Sequence, residues 1–88
     1  MKIKPGYIMK KVGSGFVVVT VGQASRDFNG MIRLNKAGAF LWEQLKQGGT
    51  DEAALVSAML ERYDDLDETT AKADLTQFLE TVSFALED

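Results

Sequence analysis

The sequence contains no cysteine and no histidine, and these two absences exclude much of the chemistry that proteins perform. Without cysteine, the chain can form neither a disulfide framework nor a thiolate metal site. Without histidine, it lacks the commonest general acid or base at neutral pH and the commonest metal ligand. We therefore expect a protein that is not an enzyme and that needs no metal or other cofactor.

Long apolar runs and a basic charge balance are also missing. No run approaches the ~20 apolar residues that a membrane-spanning helix needs, and residues 1–6 do not form an apolar signal core. The net charge is −3 and the pI is near 4.8, so the chain lacks the basic surface that general binding to nucleic acid or anionic membranes requires. We expect a cytoplasmic protein that binds neither nucleic acid nor membranes.

Three short apolar segments predict a three-stranded antiparallel meander. These segments are residues 7–12, 16–21 and 30–34. A three-residue turn at 13–15 joins the first two, because its two glycines can adopt positive φ. Both faces of the middle segment are mostly apolar, so we expect that strand to be central and at least partly covered on two sides. Residues 1–6 are expected to form a loose N-terminus, and residues 22–28 a polar connection.

Beyond residue 35, apolar residues recur at three- and four-residue spacing, which predicts three amphipathic helices. The predicted helices cover residues 36–47, 51–63 and 67–86. Their expected N-caps are Asn35, Thr50 and Asp67. Strands followed by helices, with short connections, indicate one α+β domain over residues 1–88 that is close to a winged helix-turn-helix.

The third predicted strand organises the chain, because a meander leaves it at the edge of the sheet. Its alternation places Ile32 and Leu34 on one face, and Met31 and Arg33 on the other. An edge strand presents unpaired main-chain groups, onto which an extended peptide can add without any catalytic residue. We therefore predict a peptide-binding edge. Proline at Ile32 is expected to be most damaging to binding, since proline removes an N–H.

Two alternatives to peptide binding remain open at this point. The winged-helix pattern is also typical of DNA-binding transcriptional regulators, but the last helix carries only Lys72 and Gln77 as contacts for bases or phosphates, against several acidic residues. The same edge could instead be buried in a homodimer. The acidic segment 64–68 lacks the glycine and the closing glutamate of a calcium loop, so we interpret it as a solvated loop with a helix cap.

The stretch from Gly30 to Leu45 resembles the strand-to-helix signature of the PqqD family. That signature is a short apolar strand ending in Leu-Asn, a small-residue step, and an aromatic-rich helix that contains a tryptophan. Further similarities, at the ends of the second helix and within the third, are Thr50-Asp51-Glu52, Tyr63, Asp74-Leu75 and Phe78-Leu79. The resemblance extends over about residues 7–82.

This resemblance implies a winged helix-turn-helix that acts as a peptide chaperone, also called a RiPP recognition element. Such proteins bind the leader of a ribosomally made precursor peptide and present it to a modifying enzyme, often a radical SAM enzyme, as in the biosynthesis of PQQ or a related product. The leader adds to the third strand and lies beside the third helix. Carried onto this chain, the expected peptide-binding residues are Asn29, Gly30, Met31, Ile32, Arg33, Asp74, Leu75, Phe78, Leu79 and Val82.

Overall fold

A computed structural model describes residues 1–27 and 30–87 of the chain. Strands β1 (Lys2–Ile3), β2 (Tyr7–Val12) and β3 (Gly15–Thr20) precede a short helix α1 (Ala24–Asp27) and strand β4 (Met31–Leu34). They are followed by α2 (Lys36–Lys46), α3 (Glu52–Arg62), α4 (Glu68–Thr81), a 3₁₀ turn (Ser83–Ala85) and β5 (Leu86–Glu87). The predicted α+β class, with antiparallel strands preceding the three main helices, is confirmed.

Strands β2, β3 and β4 form an antiparallel sheet in that order, so the described part of β4 is an edge strand, as predicted. Gly13 has a φ of 62°, which suits the first position of a two-residue type II′ turn, and Val12 pairs with Gly15. The predicted three-residue turn was therefore one residue too long. Val17 and Val18 lie on opposite faces of β3 and both are buried, which agrees with a central strand.

Each main helix begins at an N-cap whose side chain satisfies a backbone donor that has no partner within the helix. Asn35, Asp51 and Asp67 accept a hydrogen bond from the N–H three residues later, at 2.7–2.8 Å. The predictions for Asn35 and Asp67 are confirmed. Thr50 is not the cap of α3, because the adjacent Asp51 carboxylate makes the capping hydrogen bond.

The cap of α4 gives the stability of the fold a pH dependence. The N–H of Thr70, with a further contribution from its side chain, lowers the pKa of Asp67 below its ordinary value of 3.8. The carboxyl group of Asp67 thus has a lower pKa in the folded protein than in the unfolded chain. The charged carboxylate therefore stabilises the fold fully above pH 3.8, and this contribution disappears as the pH falls through the folded-state pKa.

Asp67→Asn should therefore remove one component of acid destabilisation, because asparagine can cap the helix without titrating. In urea unfolding at a series of pH values, the stability difference between wild type and variant should be constant near neutral pH. It should then shift in favour of the variant as the pH falls below 3.8. A difference that does not change with pH would show that the Asp67 charge contributes nothing to the cap.

Both ends of the chain differ from the prediction. Helix α4 ends at Thr81 rather than near residue 86, and β5 then pairs with β1, with Lys2 opposite Glu87 and Ile3 opposite Leu86. The N-terminus is therefore held in place rather than loose. An extended C-terminal segment lets Leu86 pack against the core beside Ile3 while Ala85 is fully buried.

The connection after β3 is more ordered than its polar composition predicts, because residues 24–27 form the short helix α1. Its first residue, Ala24, is buried against the loop that precedes β2. Gly6 in that loop has a φ of 90°, and a Cβ there would lie only 2.7 Å from the Cβ of Ala24. The close approach explains why a glycine occupies position 6.

The core lies between one face of the sheet and the helices. Its fully buried larger side chains are Trp42, Leu45, Leu55, Met59, Val18 and Val82. The other face of the sheet carries the exposed Ile8, Val12 and Met31. No helix in the described ranges has both the length and the apolar character needed to cross a membrane.

Candidate functional site

The hydrogen bonding of β3 determines which main-chain groups of β4 face outward. Beside the start of the hairpin, the N–H of Val21 donates to the carbonyl oxygen of Gly6 at 2.8 Å. Successive residues of an antiparallel strand direct their N–H and C=O groups to alternate sides. Val19 and Val17 therefore also bond toward β2.

The residues between them bond in the opposite direction, toward β4. Val18 lies opposite Ile32, and Phe16 lies opposite Leu34. The main-chain groups of Ile32 and Leu34 are thus used within the sheet, whereas those of Met31 and Arg33 point away from β3. The open edge consists of these two residues within the described part of β4.

Side-chain exposure along β4 follows the predicted alternation. Met31 is 62% exposed and Arg33 is also exposed, while Ile32 is half-buried and Leu34 is buried. Gly30 is exposed immediately before the strand. Asn29, which was expected to contribute to the same edge, lies outside the described residues. An added strand would therefore find accessible backbone next to an apolar inner face.

A cavity of about 310 Å³ adjoins the carboxyl end of β4. It lies between that strand, the first turn of α2 and one face of α4. A second cavity, of about 300 Å³, shares Ala37, Met59 and Asp74 with the first and continues toward the loop between α3 and α4. We refer to the two adjoining cavities together as the edge groove. Its lining residues are Arg33, Leu34, Asn35, Ala37, Gly38, Leu41, Met59, Tyr63, Asp65, Leu66, Asp74, Gln77, Phe78 and Thr81.

Glycine at position 38 keeps the edge groove open where α2 approaches β4. A Cβ at Gly38 would lie 3.3 Å from Oδ1 of Asn35 and 3.4 Å from side-chain atoms of Leu34. Its N–H donates to the same Oδ1 at 2.8 Å. The residue thus helps to cap α2 and lets its first turn pack closely against Leu34 at the border of the groove.

The structure brings some of the predicted helix residues to the edge groove and places others elsewhere. Asp74 and Phe78 line it. Leu75 is almost fully buried and borders a different cavity, between α3 and α4. Leu79 is half-buried against the core, and Val82 has no exposed surface.

Sequence reasoning did not identify Gln77 and Thr81, which line the edge groove together with Asp74 and Phe78. Spacings of three, four and seven residues place these four positions on one face of α4. Apart from Asp74, the residues that the family resemblance implied on α4 belong to the apolar stripe of the helix, which faces the core. The polar positions beside that stripe are the signal that could have identified the wall of the groove.

The sheet has a second edge, at β2, whose chemistry differs from that of β4. The exposed Lys10 and Lys11 follow one another in β2. Lysines on an edge strand are a common means of discouraging the addition of another strand. The combination of an edge and an adjoining groove therefore favours β4 as the binding edge.

Comparisons with known proteins identify a family and a structural neighbour of this chain. The model of the family described as coenzyme PQQ synthesis protein D (PqqD) matches residues 15–83. Among solved structures, the chain is similar to TbiB1 in complex with the TbiA(beta) leader peptide, with a TM-score of 0.71 and 23% sequence identity. That match covers 94% of this chain and 88% of the other. No curated protein sequence gives a significant match.

The antiparallel sheet followed by three main helices defines an α+β domain. Because the family match spans most of its residues, this chain belongs to the coenzyme PQQ synthesis protein D (PqqD) family. The structural similarity to TbiB1 establishes the shared fold.

Proposed function

We propose that this protein is a peptide chaperone that binds the leader of a ribosomally made precursor peptide by strand addition to β4. The observation that carries the proposal is the position of an open strand edge, at Met31 and Arg33, directly beside the edge groove. Membership of the PqqD family and a fold shared with TbiB1, whose structure contains a leader peptide, support it.

In this proposal, the edge and the groove contribute different parts of the binding energy. Main-chain groups of Met31 and Arg33 pair with the leader irrespective of its sequence, and Gly30 leaves the entrance to the strand uncrowded. Asp74 and Phe78 select leader side chains from the wall of the groove. Ile32, Leu75, Leu79 and Val82 act indirectly, by holding β4 and α4 in position through the core.

The bound leader would be presented to a separate peptide-modifying enzyme, and the protein itself would perform no chemistry. Radical SAM enzymes are the partners that the family resemblance implies, and the PQQ precursor is one candidate peptide. Both events would take place in the cytoplasm, where precursor peptides are made. The proposal needs no cofactor, because main-chain hydrogen bonds and side-chain burial are sufficient for recognition.

The charges of α4 do not favour the alternative of a DNA-binding winged helix. Glu68, Asp74 and Glu80 are exposed on this helix. Its lysine, Lys72, makes an ion pair with Glu68 at 3.3 Å. Phosphate groups would be repelled by such a surface, and the basic residues that usually offset this repulsion are few.

Fluorescence anisotropy with synthetic leaders of the precursor peptides encoded near this gene tests the proposal. We expect saturable binding that depends only weakly on salt, and no binding of a labelled DNA duplex at physiological salt. Sedimentation should show a monomer that binds one leader. If every leader fails to bind and the protein sediments as a dimer, the edge is occupied by a second copy and the proposal is wrong.

A further inference from the structure

The helical side of the edge groove is acidic. Asp74 of α4 lies where the two cavities meet, and Asp65, in the loop before α4, lines the second cavity. Within the described residues, no lysine or arginine of α3, α4 or their connecting loop lines either cavity. Their remaining contributions to the lining are uncharged: Met59, Tyr63, Leu66, Gln77, Phe78 and Thr81.

Neither carboxylate is paired with another described residue. The ion pairs among the described residues join Lys72 to Glu68 and Lys2 to Glu87, and the side-chain hydrogen bonds there involve other groups. Their negative charge is therefore available to a ligand.

Arg33 itself lines the first cavity, and Arg62 lies beside the second, but neither forms an ion pair with Asp74 or Asp65. The guanidinium of Arg62 lies over the ring of Tyr63, 5.4 Å from its centre. The strand alternation places the side chain of Arg33 on the outer face of the sheet, beside exposed Met31. Both carboxylates are therefore left without a direct cationic partner among the described residues, although the groove is not free of positive charge.

Strand addition determines which ligand side chains enter the groove. Peptide residues opposite Ile32 and Leu34 would point to the same face as these two side chains, and therefore inward. The inner face at this point is apolar, with Leu41 and Phe78 beside Leu34. Asp74 lines the same cavity as Leu34, so its carboxylate is within reach of a peptide that continues past Leu34.

We infer that the peptide bound by the edge groove carries an apolar residue opposite Leu34 and, just beyond it, a lysine or arginine that pairs with Asp74 and Asp65. The inference rests on the proposed strand addition and specifies the chemistry of the ligand. Because both carboxylates are exposed to solvent, the charge pair changes the affinity by roughly two- to fivefold and weakens as salt is added.

The probe is a displayed library of random peptides, selected against the wild-type protein. Peptides that shift the Met31 and Arg33 amide signals in NMR titrations are kept for analysis. We expect them to share an apolar residue with a basic residue close to it in sequence, after it if the peptide runs parallel to β4 and before it if the peptide runs antiparallel. Replacing that basic residue by glutamine should weaken binding to wild type by the same roughly two- to fivefold factor.

The matched variants are Asp74→Asn and Asp64→Asn. Both remove one negative charge, but Asp64 does not line the edge groove. Asp74→Asn should weaken binding of the peptide that carries the basic residue and leave binding of its glutamine version unchanged. Asp64→Asn should change the binding of neither peptide.

Two other results would overturn the inference in different ways. Peptides that bind at β4 without a shared basic residue, or an equal effect of both variants, would contradict the charge pairing and leave the proposed function intact. If no selected peptide shifts Met31 or Arg33, strand addition itself is contradicted, and with it both the inference and the proposed function.

Discussion

Arg33→Pro should weaken leader binding by roughly five- to a hundredfold while the domain remains folded. Proline removes the N–H of residue 33, which points to the open edge, and leaves a carbonyl group of the bound leader without its donor. An unsatisfied group of this kind costs roughly 1–3 kcal/mol, and each 1.4 kcal/mol corresponds to about tenfold in affinity.

The position is suited to proline for structural reasons. Prolines are tolerated on edge strands when the missing N–H would have faced outward. The preceding residue, Ile32, already has the extended conformation that a residue before proline prefers. The ladder between β3 and β4 is kept, because it uses the main-chain groups of Ile32 and Leu34 rather than those of Arg33.

Two control variants separate the backbone effect from other changes. Arg33→Ala loses the same side chain but keeps the N–H, so it should bind the leader nearly as well as wild type. Lys11→Pro removes an outward N–H from the opposite edge and should also bind normally. Binding by a folded Arg33→Pro protein at wild-type affinity would show that the leader does not pair with this edge.

Trp42→Ala should destabilise the fold by about 3–5 kcal/mol, which is the usual range for deleting a buried aromatic side chain. Trp42 is 1% exposed and is the largest of the fully buried side chains in the described core. Domains of this kind have total stabilities of about 5–15 kcal/mol, so the loss would leave the protein marginally stable or unfolded at room temperature.

Urea unfolding followed by circular dichroism measures this effect. Glu43→Ala is the matched control, because the neighbouring Glu43 is exposed on the same helix and its replacement should change stability very little. A loss below about 1 kcal/mol for Trp42→Ala would mean that α2 is not anchored to the core through this residue. The first turn of α2 would then be a poor candidate for a rigid wall of the edge groove.

The architecture could be predicted from sequence where local signals were strong. Alternation identified the strands, three- and four-residue spacing identified the main helices, and the short polar side chains of Asn35 and Asp67 identified two of their starts. The pairing of β1 with β5 could not be predicted, because each strand has only two residues and the two strands come from opposite ends of the chain. Only tertiary packing brings these segments together.

The edge position of β4 could be predicted from sequence, but not which of its residues direct their main-chain groups away from the sheet. That choice depends on the register of the β2–β3 hairpin, and the turn that sets this register was predicted one residue too long. Ile32→Pro was therefore the wrong test of the edge, since the N–H of Ile32 faces Val18 within the sheet. On α4, the apolar stripe predicted the core together with Phe78, whereas the rest of the groove wall lies on the adjacent polar positions Asp74, Gln77 and Thr81.

Amide hydrogen exchange of β4, measured by NMR with and without a saturating leader peptide, tests strand addition most directly. In the free protein, the amides of Met31 and Arg33 should exchange faster than those of Ile32 and Leu34. Leader binding should slow exchange at Met31 and Arg33 and change the other two little. Unchanged exchange at both outward amides in the saturated complex would contradict strand addition to this edge.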